Sequence, residues 1–294
     1  MASPNLEATS APLTLASLQR KTDKSSLFGM AMTVLSGLFM AIVLLPLFAV
    51  LIYVLIKGGA RLNLDLFTQL PPAAGLQGGG IANAIVGTIV LLAIASGISV
   101  PVGILAAVYL SEFSNPRTAR WIRFGTNVLS GVPSIIAGIF AYGLVVIVTG
   151  TFSAIAGGVA LSVLMLPTIV RTTDEALQLV SQEVRWASVG LGASDYATVL
   201  KVVIPAATSA ILTGVTLAIA RAAGETAPLI FTALFSFFWV QGVMEPTPSL
   251  AVLVYNFAIV PFKDQQELAW AASLILVLLV LLTSILSRLA TRGR

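Results

Sequence analysis

Thirty consecutive residues, Leu27 to Ile56, carry no charged side chain. About 20 apolar residues of helix already cross the hydrocarbon of a bilayer. In lipid every backbone N–H and C=O must find its partner within the protein, so such a run folds as a helix. The run is too long for a signal-peptide core and has no small-residue cleavage site, which makes it a retained first span. The rest of the chain agrees. Of 294 residues 57% are hydrophobic and 10% charged, with a mean hydropathy of +1.00. A soluble domain carries about 25% charge. Barrel strands would alternate over about ten residues, and these runs do not, so the expected class is an all-α integral membrane protein.

Composition also removes chemistries. There is no cysteine, hence no disulfide and no thiolate nucleophile. Histidine, the commonest general base and metal ligand, is absent too. With only 12 carboxylates, neither a metal site nor a hydrolytic centre is expected.

Residues 1–26 are polar and lack hydrophobic periodicity, which reads as a mobile tail before a transmembrane domain over 27–294. After a loop at 57–80, a second span runs from Ile81 to about Leu110, with Pro101 as a kink. Gly78, Gly79 and Gly80 read as a flexible turn. A polar loop from Glu112 to Arg123 precedes a third span over 124–148, and Gly150-Thr151 turns into a fourth over 154–170. Residues 171–204 form a long amphipathic loop in which Thr172 and Glu175 read as a capping box. Gly190 and Gly192 break its helix, and Asp195 caps a second short one. Pro205 opens the fifth span, where its missing N–H costs nothing. Ser249 to Pro261 is too short to cross and reads as re-entrant or interfacial. Leu268 to Ala290 is the sixth span.

Lys and Arg set the orientation. The tail, the 112–123 loop, the 171–204 loop and the C-terminal end hold three each, twelve in all. The opposite loops hold Lys57, Arg61 and Lys263. Cytoplasmic loops carry the excess, so six spans with both termini in the cytoplasm are expected. The net charge of +4 therefore reflects topology, not nucleic-acid binding.

The sixteenth cation, Arg221, stands with Glu225 inside an apolar segment from about Val202 to Phe235. A charge at membrane depth costs roughly 2.5–3.5 kcal/mol on insertion scales, which makes it a functional-site hypothesis by default. Four residues apart on a helix, the two neutralise each other. Gly214, Ala218, Ala222 and Thr226 form a small-residue stripe beside them, suited to close helix packing. Pro228 lacks an N–H and should leave the Gly224 carbonyl unbonded. The competing reading is an ion pair that only locates this helix.

In the amphipathic loop, Trp186-Ala187-Ser188, Gly192 and Val202-Val203-Ile204-Pro205 are similar to the coupling-loop pattern of binding-protein-dependent ABC importers. That pattern is Glu-Ala-Ala, three residues, Gly, nine residues, Ile-x-Leu-Pro; Trp186 stands where it has glutamate. Ile219 to Leu229, continuing to Phe231-Thr232-Ala233, resembles the signature of the phosphate-specific permeases. Leu166-Pro167, Arg171 to Glu175, Pro261-Phe262 and Leu268 to Ala271 are similar to that family as well. The likeness covers roughly residues 80–290.

The resemblance implies a type I ABC importer permease (MetI-like) in the inner membrane, passing phosphate by alternating access. It implies that Arg171 and Arg221 serve phosphate passage, with Glu225 holding Arg221 and Thr226 donating a hydroxyl. A planar guanidinium suits an oxyanion that has lost its water, because it donates in pairs. Topology alone leaves Arg171 the alternative of snorkelling to the headgroups. Trp186, Ala187, Ser188, Gly192 and Pro205 would transmit the closure of an ATPase. Implied partners are a homologous second permease, two ATPase subunits, an extracytoplasmic phosphate-binding protein and the bilayer itself. The chain has no phosphate-binding P-loop, so ATP and Mg would sit on the partner ATPase and this chain would be no enzyme. Rival readings are an ion-coupled secondary transporter, a non-transporting scaffold, and a permease for sulfate or molybdate.

Overall fold

The computed structural model describes residues 24–291, and among them every regular element is helical. The expected tail at 1–26 lies outside the described residues but for its last three, which already belong to the first helix; Arg292 and Arg294 lie outside too. Helix α1 spans Lys24–Gly59. As far as Tyr53 it is a compact unit by itself, apolar and exposed on every side. That is the signature of a helix covered by lipid or protein rather than water.

The second unit holds the remaining elements. Helix α2 (Leu64–Thr68) is capped by Asn63, whose Oδ1 accepts from the Leu66 N–H at 2.9 Å. The triple glycine after it, expected as a flexible turn, forms no turn and is closely packed at Gly79 and Gly80. Gly78 and Gly79 have φ of +88° and +71°, and a side chain at Gly80 would overlap the backbone of α2.

Helix α3 (Ala82–Phe113) carries Pro101 inside it and closes with a π turn over Tyr109–Phe113. No loop runs from 112 to 123. Asn115 caps and Pro116 opens α4 (Pro116–Ser130), because a proline at the first turn loses no bond. Pro133 then removes an N–H and disfavours helix at Val132, so the chain bends by 99° into α5 (Ser134–Thr149). The straight third span expected over 124–148 is thus a bent pair. With the five unbroken helices long and apolar enough to cross a membrane, it makes up to six crossings.

Helix α6 (Ala154–Gln178) does not stop at 170. Thr172 is no cap: it lies mid-helix and its hydroxyl donates to the Thr168 carbonyl at 2.9 Å. Helix α7 (Gln182–Gly190) follows, then α8 (Asp195–Ala223). The α8 cap is Ser194 rather than Asp195; its Oγ accepts from the Ala197 N–H. Pro205 does not open α8. It follows a π turn over Val199–Val203, whose wider winding accommodates a missing N–H inside a continuing helix. The fifth span ends at Ala223, and α9 (Ala227–Thr232) is a separate short helix. Helix α10 (Leu250–Ala258) is as short as expected, and α11 (Lys263–Thr291) forms the last span.

Helix α6 is the axis of the packing and touches α3, α4, α5, α8 and α9. Lipid tails are as apolar as leucine, so these helices associate by close fit. Glycines supply it: Gly158 of α6 seats Ile94, and Gly103 of α3 seats Ile169. Gly214 of α8 lies against Thr172, and Ala218 and Ala222 follow it into the core. Gly214→Leu should therefore lower stability by about 1–3 kcal/mol, the usual cost of overpacking. A shift of the thermal unfolding midpoint in detergent measures it.

Candidate functional site

Helix α6 buries most of its surface but leaves one stripe open. Leu164, Thr168, Arg171, Glu175 and Gln178 recur at three- and four-residue steps and share one helix face. The last three are exposed, whereas Asp174, Ala176 and Leu177 between them are buried. On this stripe Arg171 Nε donates to Glu175 Oε1 at 2.9 Å, with both side chains about 60% exposed.

The stripe leads to Arg221. In a narrow crevice Leu164 and Thr168 meet Ala218, Arg221 and Glu225 of the neighbouring segment. Arg221 Nε lies 3.9 Å from Glu225 Oε1; the arginine is 60% exposed and the carboxylate 17%. Thr168 is one helical turn from Arg171, so the structure brings Arg171, Arg221 and Glu225 along one face. The single helix expected beneath the second pair is broken. Arg221 sits in the last turn of α8, where a cation complements the helix dipole, and Glu225 sits in the break at Gly224–Thr226. Pro228 falls in the first turn of α9 and so removes no interior hydrogen bond. The Thr226 hydroxyl turns to the Ala251 carbonyl at 3.4 Å rather than to the arginine.

A cavity of about 560 Å³ opens beside Arg171, between α4 and α6. Arg123, Asn127 and Ser130 line one side, and Arg171, Glu175 and Gln178 the other. At its base Arg123 grips the buried Asp174 with both prongs, at 2.8 and 3.0 Å. Sequence reasoning counted Arg123 as a topology charge and gave Asp174 no role. Fifty-one residues separate them, and only the fold joins them.

The 182–204 region forms one knuckle. Trp186 is 67% exposed and Leu191 91%, while Val184, Ala187, Leu191, Lys201 and Val202 border a shallow groove. Ser188 and Thr198 share a hydrogen bond of 2.9 Å that ties the end of α7 to the start of α8. Between them Gly192 has φ +90° with open space around it, so glycine is required by backbone conformation, not by crowding. Pro205 lies further along α8 and borders no part of that groove.

Comparison with known proteins fits this geometry. The family described as "Binding-protein-dependent transport system inner membrane component" matches residues 99–293. The phosphate transport system permease protein PstA of Yersinia pestis is 40% identical over 92% of this chain and 90% of its own. The chain belongs to the PstA family. Solved structures share the fold. A bacterial alginate ABC transporter, in complex with an alginate-pentasaccharide-bound periplasmic protein, gives a TM-score of 0.63 at 12% identity, covering 90% of this chain and 94% of that one. The MetNI methionine ABC transporter in an inward-facing conformation gives 0.57 at 21% identity, covering 73% and 94%. As a PstA-family member, the chain is a multi-pass inner-membrane permease and a transport subunit rather than an enzyme.

Asp174 is the buried partner in the ion pair that ties α4 to α6. Asp174→Ala should cost about 1–2 kcal/mol, below the full value of a buried pair because Arg123 is partly solvated. Thermal unfolding of the purified protein checks it.

Proposed function

We propose that this chain is the permease subunit of an ATP-driven phosphate importer. The observation that carries the reading is the 40% identity to PstA of Yersinia pestis over nearly the whole of both chains. The stripe geometry supports it. A dehydrated oxyanion needs charge-assisted donors, and Arg171 and Arg221 offer guanidinium groups along one open face. Each already holds a carboxylate four residues on, which occupies the arginine when no anion is present. An entering phosphate exchanges with that carboxylate, so the cation is never left uncompensated and never binds the anion irreversibly. The hydroxyl of Thr226 plays a minor part, because a backbone carbonyl already engages it.

The remaining machinery is external. A homologous second permease covers the open stripe, two ATPase subunits bind ATP and Mg, and an extracytoplasmic phosphate-binding protein delivers the anion. Both termini face the cytoplasm, as does the knuckle of Trp186, Ala187, Ser188 and Gly192. The exposed Trp186 and Leu191 give an ATPase groove something apolar to hold. Its closure moves the knuckle and re-orients the spans, and Pro205, next to the α8 π turn, marks a point where that helix yields.

Arg221→Gln removes the charge and keeps the volume. Phosphate uptake should fall by about ten- to hundredfold, the worth of charge-assisted hydrogen bonds, while the complex still assembles. Normal uptake by that variant overturns the role given to Arg221, and sulfate or molybdate outcompeting phosphate in the wild type overturns the substrate. Gly192→Pro tests the knuckle, since proline fixes φ near −65° where the backbone needs a positive value. The variant should reach the membrane yet hydrolyse ATP without moving phosphate; unchanged stimulation of the ATPase by loaded binding protein refutes that assignment.

A further inference from the structure

Arg185 is the one largely buried charge on α7, a helix whose other polar residues are exposed or half exposed. Its side chain is 15% exposed and every prong is engaged. Nη2 donates to Glu112 Oε1 at 2.8 Å and to the Leu177 carbonyl at 2.9 Å; Nε reaches Glu112 Oε2 at 3.4 Å; Nη1 donates to the Val180 carbonyl. The Leu177 carbonyl belongs to the last turn of α6 and the Val180 carbonyl to the turn just beyond it. Glu112 belongs to the π turn that ends α3, and its side chain is 9% exposed. One guanidinium therefore binds the knuckle helix to the ends of two spans.

The residue after Glu112 repeats the connection from the other side. Phe113 stacks on Tyr196 with ring centroids 5.0 Å apart and planes 25° apart. Tyr196 lies in the first turn of α8, beyond Gly192. Both arms of the knuckle, before and after its glycine, thus end on the same π turn. By contrast, the covalent link from α6 to α7 is a short turn, with Leu179 and Ser181 exposed. Between those two residues the same fork holds the Val180 carbonyl, so the arginine and not the turn alone fixes α7 on the end of α6.

We infer that Arg185 and Glu112 position the knuckle on the end of α3, and that motion of the knuckle enters the membrane domain there. Arg185 acts through Glu112 and the Leu177 and Val180 carbonyls and touches no substrate. The inference rests on the reading of this chain as an ATP-driven phosphate permease.

The test uses the complete importer in proteoliposomes, with phosphate moved per ATP hydrolysed as the readout. Arg185→Ala should leave an assembled complex that hydrolyses ATP while the phosphate moved per ATP falls at least tenfold. Arg185→Lys keeps the charge without the fork and should recover only part of that ratio. Glu112→Gln keeps the shape and should reduce the ratio several-fold, and Phe113→Leu should add to that loss. Full coupling in Arg185→Ala overturns the inference. If Arg185→Ala fails to assemble, Glu112→Gln decides, and normal coupling there makes the contact merely structural. A wild-type complex that moves no phosphate on ATP would instead sink the functional reading itself.

Discussion

An arginine in an apolar domain must be compensated, and how it is compensated sorts four ion pairs of the described residues into two kinds. Arg171–Glu175 and Arg221–Glu225 are pairs four residues apart, with their arginines about 60% exposed. Such pairs contribute little to stability, and water or another anion replaces the carboxylate at small cost. In Arg123–Asp174 and Arg185–Glu112 the carboxylate side chain is only 7% and 9% exposed, and the guanidinium meets both of its oxygens. Separating a carboxylate so buried from its partner leaves an uncompensated charge, so these pairs stay closed. The first kind suits a path along which an anion passes. The second suits joints that hold the path's walls.

Close packing around α6 keeps these two kinds apart. Gly157, Gly158, Gly103 and Gly214 let neighbouring helices approach until side chain meets backbone. That density consumes every face of α6 but one. The charged residues on the remaining face cannot retreat inward, because Ile169, Thr173 and Leu177 already fill the interior behind them. Exposure of Arg171 is thus a product of the packing rather than of a loose surface.

Much of this was legible in the sequence and some of it was not, for physical reasons. Long uncharged runs have few alternatives in a bilayer, so five of the spans, the Gly214, Ala218 and Ala222 part of the small-residue stripe (Thr226 falls beyond the helix end) and the short segment at Leu250–Ala258 could be read directly. Four-residue spacing likewise announced Arg221 with Glu225. Helix ends were harder. Thr172 with Glu175 has the spacing of a capping box, yet buried neighbours on both sides carry α6 straight through it. Pro205 looked like a start because proline usually is one, and the π turn before it carries no pattern that composition reveals. Arg123 with Asp174 and Arg185 with Glu112 lie 51 and 73 residues apart, and no local rule reaches that far.

The break after Ala223 sets the second exposed pair apart from the first. On an unbroken helix Glu225 would be fixed to Arg221 by the same backbone, as Glu175 is to Arg171 at 2.9 Å. Instead α8 stops, and the carboxylate rides on three residues between two helices, 3.9 Å from the guanidinium. Gly138 of α5 packs so closely on Pro228 that no side chain fits between them, so α9 is held by α5 as well as by α6. Arg221 and Glu225 thus share α6 as a support, but the segment that carries Glu225 leads into a helix that also rests on α5. Any motion that shifts α8 past α5 changes their separation, which a continuous helix would have forbidden.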